Sequence, residues 1–113
     1  MAKYLISFPS SAMVCPADEL PAVAAAARAV VREAKAAGVW VFGGGIDEAV
    51  PVVRVAADGL ATPGSYAPTR QIEGGYAVFD CATREDAIRW AARLAAACRC
   101  AQELRVFMDD PEC

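Results

Sequence analysis

The side chains best equipped for chemistry gather between residues 64 and 76. Gly64-Ser65-Tyr66-Ala67-Pro68-Thr69-Arg70 leads through Gln71-Ile72-Glu73 to Gly74-Gly75 and Tyr76. A planar guanidinium near glycine-rich backbone suits a carboxylate or phosphate. Arg70 therefore reads either as an anion clamp or as a loop cation, solvated or paired with Glu73. Gly64, Gly74 and Gly75 supply that backbone. Tyr66 and Tyr76 either flank a ligand and offer phenolic protons or pack beside glycine in a sheet. Thr69 either joins such a site or bonds its own loop backbone.

Other charged residues widen the candidate set. Arg54 interrupts the apolar run Val52-Val53-Arg54-Val55; facing a cleft it needs a counter-anion, and at a sheet edge it needs only water. Asp47, Glu48 and Asp58 are carboxylates near the expected open end of a sheet. In a dry cleft the pKa of one of them would rise and make it a base, whereas in a turn it stays solvated. There is no histidine, so imidazole acid–base chemistry is excluded. Gly43-Gly44-Gly45 follows a strand-like run, but no Lys-Ser/Thr follows it, so it reads as a bulge or a close backbone approach and not as a phosphate loop. Cys15, Cys81, Cys98, Cys100 and Cys113 lack paired C-x-x-C spacing. They read as free thiols of a reducing compartment, with no metal site and no cofactor implied.

The elements that must position these residues follow from periodicity. Tyr4, Ile6 and Phe8 alternate with Leu5 and Ser7, which suits a first strand ended by Pro9. Asp18 is the expected N-cap of a helix with Pro21 in its first turn. The stripe of that helix is Leu20, Val23, Ala24, Ala27, Val31 and Ala34, and its stop is Gly38. Val39 to Phe42 is apolar on both sides and reads as a second strand. Pro51 to Ala57 reads as a third strand, closed by the Asp58-Gly59 turn, and a short strand is conceivable near Tyr66. Tyr76 to Cys81 is the expected central strand. Thr83 caps a second helix with the stripe Ala87, Ile88, Ala91, Leu94, Ala95 and Cys98, and Glu103 to Met108 forms the last strand.

A chain of 113 residues makes one domain, spanning 1–113. A β-α-β pattern at both ends gives an α+β, ferredoxin-like βαββαβ sandwich, with two helices on one face of a mainly antiparallel sheet. Helices on one face leave the other bare, yet the second and central strands are apolar on both sides. Four or five such side chains left in water forgo on the order of 6–15 kcal/mol, as much as the whole stability of a small domain. The simplest cover is an identical sheet from a second copy, an isologous homodimer.

The stretch Gly64-Ser65-Tyr66-Ala67-Pro68-Thr69-Arg70, followed by Gly74-Gly75-Tyr76, Asp80 and the helical Ala87-Ile88-Arg89-Trp90-Ala91, resembles the YCII-related family. The resemblance is closer to the branch with an Asp-Gly-Pro-Phe motif, the DGPF-domain proteins. It implies a ferredoxin-like unit that dimerises face to face into a dimeric α+β barrel, with a small-molecule cleft between sheet and partner. Some relatives work as small enzymes through a His-Asp pair, and the DGPF branch is associated with sigma-factor regulation; most roles are unassigned. This chain departs from the motif at Pro63, Ser65 and Pro68 and lacks the imidazole.

The expected function is a homodimeric binding module for a small organic or anionic molecule, held by Tyr66, Thr69, Arg70, Arg54 and the glycines. One alternative is a lyase, isomerase or dehydrohalogenase-like enzyme whose acid–base group is Asp58, Asp47 or Tyr66. The other is a regulatory interaction protein. A net charge of −3 without a basic stripe excludes nucleic acid as a partner. No apolar run is long enough for a membrane span, and the chain reads as soluble and cytoplasmic.

Overall fold

The computed structural model describes all residues, Met1–Cys113. Four strands form the main sheet: β1 (Ala2–Pro9), β2 (Trp40–Gly45), β5 (Gly74–Cys81) and β6 (Glu103–Val106), in the order β2-β5-β1-β6. Every neighbouring pair is antiparallel. Helices α1 (Leu20–Ala36) and α2 (Arg84–Cys98) supply the crossovers, giving a mixed α+β fold compatible with the ferredoxin-like pattern. No helix is long and apolar enough to cross a membrane.

Strand alternation sets the two faces of the sheet. Tyr4 and Ile6 of β1 lie opposite Phe79 and Ala77 of β5, and these four, with Cys81, are buried. Both helices pack on this face, through Val30 and Ala34 of α1 and Ala87, Ala91, Leu94 and Ala97 of α2. Phe79 is fully buried between two indoles, edge-on to Trp40 at 5.5 Å and tilted against Trp90 at 5.6 Å. Arg93 reaches from α2 to Glu33 of α1 and also lies over the Trp90 ring at 4.6 Å. In α2 the buried stripe is turned slightly from the expected one, so Ala97 is buried while Ile88 is about half exposed.

The opposite face carries no helix and is only partly covered, with Ser7 buried and Leu5 and Val78 half-buried. Leu5, Phe42, Val78 and Asp80 project there, across from Arg105 and Lys3, and Phe42 is 71% exposed. Only 14 of 113 residues are buried. The body is flat, 43 × 42 × 20 Å, with a radius of gyration of 15.7 Å, against about 13 Å for a compact domain of this length.

The excess reach comes from residues 46–73. Val53–Val55 (β3) does form a strand, but it pairs with Ala61–Pro63 (β4) in a separate two-stranded sheet and does not join the main one. Every residue from Glu48 to Gly64 is exposed. The hairpin turns at Asp58-Gly59, where the Asp58 carboxylate accepts from the Leu60 N–H at 2.9 Å and Gly59 has φ +89°. Instead of a strand, Ala67–Thr69 forms a single 3-10 turn after Tyr66.

The helix starts differ from each other. Thr83 caps α2 by accepting from the Asp86 N–H at 3.1 Å. Asp86 itself pairs with Arg89 and does not reach back. At α1 a 3-10 turn, Ala17–Glu19, already engages Asp18, so the N-cap falls on Glu19 and no side chain bonds the free N–H groups. Glu19 instead accepts from Arg99, the left-handed C-cap of α2, at 3.0 Å. Thr83→Ala should therefore destabilise the fold by about 1 kcal/mol, read as a lower urea midpoint, while Asp18→Ala should leave it unchanged.

Candidate functional site

A well-formed hollow lies on the face away from the helices, at the end of the sheet where Ala2 pairs with Cys81. Its volume is about 380 Å³. Val78 and Lys3 form its floor from β5 and β1. Phe107 continues β6 by donating its N–H to the Lys3 carbonyl at 2.9 Å, and the segment beyond it brings Met108, Asp109 and Asp110 to the wall. The lining is mainly apolar with one basic and two acidic side chains, a makeup suited to a small organic body oriented by few polar groups. Asp80 stands two residues from Val78 on the same face, and its Oδ1 is buried without a hydrogen-bond partner. A buried carboxylate oxygen of this kind calls for a donor from outside the chain.

A second hollow, about 140 Å³, opens at the other end of the sheet among Ile6, Phe8, Val31, Trp40, Leu94 and Cys98. It is a packing gap beneath the helices, almost without polar groups.

Of the candidate ligand-site residues singled out by sequence, Gly75 and Tyr76 border the second hollow and the others are placed elsewhere. Tyr66, Thr69, Arg70 and Arg54 line neither hollow. The hairpin nevertheless gathers two of them: the Arg54 guanidinium lies 5.8 Å from the centre of the Tyr66 ring. Tyr66 is 69% exposed, and Thr69 donates its hydroxyl to the Tyr66 carbonyl at 3.1 Å. Arg70 is exposed and makes no ion pair with Glu73 or any other acid. Tyr76 donates its hydroxyl to the Ile72 carbonyl at 2.6 Å, which ties the base of the hairpin to β5.

The acids and glycines have local work. Asp47 accepts from the Ala49 N–H at 3.0 Å, and Asp58 is held in its turn in the same way. Glu48 accepts from the Ser10 hydroxyl at 3.1 Å. Gly64 has φ +102° in open space. Gly74 and Gly75 face Phe8: a methyl on Gly74 would meet the Phe8 carbonyl oxygen at 2.0 Å, and one on Gly75 would meet the Phe8 ring at 2.6 Å. Their small size serves the seam between β1 and β5.

All five cysteines are free, and no three His, Cys, Asp or Glu side chains converge on a point that could hold a metal ion. Burial pushes the Cys81 thiol above its ordinary pKa, with the nearby Asp80 carboxylate adding to the effect. Burial and Cys100 do the same to Cys98. Burial also raises Cys100, against a hydrogen bond from Gln102 that lowers it. A thiol whose folded pKa is raised contributes fully below its ordinary value of 9.0 and loses that contribution as pH climbs past it. The urea midpoint should therefore hold steady below that pH and fall above it, and the Cys98→Ala variant should show a shallower alkaline slope. Over the same range, alkylation should reach exposed Cys113 well before Cys81 or Cys98.

No protein-family model matches this chain, and no curated protein matches it.

Proposed function

We propose that this chain is a homodimeric small-molecule-binding module of the YCII-related type, working without a histidine-based dyad. The observation that carries this reading is the helix-free apolar face with its hollow of about 380 Å³. Phe42 and Phe107, 71% and 48% exposed on that face, would return on the order of 2–4 kcal/mol if covered, and Leu5 and Val78, already half-buried, would add less. A second copy of the same sheet covers them and turns the hollow into a cleft, the dimeric α+β barrel that the sequence resemblance implies. The unpartnered Asp80 oxygen then awaits a donor from ligand or partner. Binding is favoured over turnover because Asp47 and Asp58 are each engaged in their own turns, and neither they nor the exposed Tyr66 line the hollow.

Light scattering at micromolar concentration should give about twice the chain mass of 11.8 kDa. Native mass spectrometry of the gently purified dimer should find a small adduct, and Val78→Trp, which fills the hollow, should lose it. A single 11.8 kDa species would overturn the reading. So would a dimer that carries no adduct and whose melting temperature is unmoved by a panel of small carboxylic acids, lactones and haloaromatics; that result would favour the interaction protein instead.

A further inference from the structure

The hairpin and the larger hollow stand at opposite ends of one sheet. Residues 46–73 leave it where Pro9 pairs with Gly74 and Ile46 donates its N–H to the Gly74 carbonyl; the hollow lies where Ala2 pairs with Cys81. The hairpin is an uncovered apolar arm, with Val50, Val52, Val53, Val55 and Leu60 between 48 and 66% exposed. Its cations Arg54 and Arg70 form no ion pair. Around the hollow the signs are reversed: Asp109, Asp110 and Glu112 also form no ion pair, and Lys3 is the one basic side chain in the lining.

Interface size argues that the arm takes part. Alternate residues on one face of four short strands provide on the order of ten side chains, whereas a stable interface engages roughly 20–30 residues a side. The arm, residues 49–71, makes up the difference. A single chain cannot bring its own arm to its own hollow across the length of the sheet. A two-fold axis that runs across the strands brings each arm to the other chain's hollow.

Building on the dimer reading above, we infer that the arm of each copy lies across the partner's hollow, so that the cleft is complete only in the dimer. The partner's Arg54 and Arg70 face Asp109 and Asp110, and the arm's valines cover Phe107 and Met108. An isologous arrangement of this kind makes the contact twice.

The test is a mapped crosslink. A tagged chain carrying Ser65→Cys and Cys113→Ala is mixed with untagged wild-type chain, allowed to exchange, and treated with a short bis-maleimide. Peptide mass spectrometry should find the link between positions 65 and 113 of different chains as the main product. A dominant link between two copies of position 65 would set the axis along the strands and overturn the inference. Absence of any interchain link in a sample that light scattering reports as dimeric would overturn it too while sparing the dimer. A monomer by light scattering removes both.

Charge reversal gives an independent reading. Chains carrying Arg54→Glu with Arg70→Glu should pair several-fold in preference with chains carrying Asp109→Lys with Asp110→Lys. Statistical mixing in native mass spectra would count against the arm contact.

Discussion

Gly74→Ala should cost the fold on the order of 3 kcal/mol or more, enough to lower Tm by roughly 12–20 °C. Two effects add. Gly74 has φ +125°, a conformation that a side chain tolerates only under strain of about 1–3 kcal/mol. The new methyl would also lie 2.0 Å from the Phe8 carbonyl oxygen and 2.8 Å from the Ser10 nitrogen. Both obstacles are backbone, so no rotamer change relieves them. Backing away would pull apart the Pro9–Gly74 pair and the bond from the Ser10 N–H to the Glu73 carbonyl.

Gly75→Ala meets only the Phe8 ring, which can turn, and should cost less. Gly44→Ala has nothing within 4 Å and should stay within about 1 kcal/mol of the parent. Urea melts of the three variants check the order, and a Gly74→Ala midpoint close to that of Gly44→Ala would refute the steric account. The result bears on function because this seam is where the arm leaves the sheet.

How much of this was legible in the sequence depends on the range of the interaction. Period-two alternation in Tyr4–Phe8 and Tyr76–Cys81, the two helices and the Thr83 cap are local signals and appear in the structure, while the helical stripes appear slightly turned, with Val30 and Ala97 buried and Leu20 and Ile88 about half exposed. The helix-free second face was also legible, since it follows from two helices and doubly apolar strands. The fate of Val53–Val55 was not. Its valines look like those of any strand, and whether it joins the main sheet or folds back on Ala61–Pro63 is decided by pairing partners that periodicity does not encode. The meeting of Arg54 with Tyr66 depends on that same hairpin. The hollow was hidden for a similar reason: Lys3, Val78 and Asp110 come from three distant stretches of the chain. Asp18 misleads as a cap because the chain is already turning there through the Glu19 N–H to Pro16 carbonyl bond.

Phe42→Lys should separate the cost of folding from the cost of association. Phe42 sits on the edge strand β2, opposite Val78, and is 71% exposed within one chain. A lysine there loses little in the monomer, because surface substitutions mostly fall within about 0.5 kcal/mol and edge strands tolerate lysine well. In a face-to-face dimer the same position is covered, and each copy loses an aromatic contact of about 1.5–3 kcal/mol. Two-fold symmetry doubles that to about 3–6 kcal/mol, a hundredfold or greater rise in the dimer Kd, before any cost of burying the ammonium groups. Sedimentation velocity should therefore show Phe42→Lys as a monomer at concentrations where the parent is dimeric, with an unchanged far-ultraviolet circular dichroism spectrum. Ile88→Lys, equally charged but on the helical side and about half exposed, should leave association untouched. If Phe42→Lys remains dimeric, the helix-free face is not where the copies meet, and the hollow beside Val78 would then open to solvent in a protein whose partner binds elsewhere.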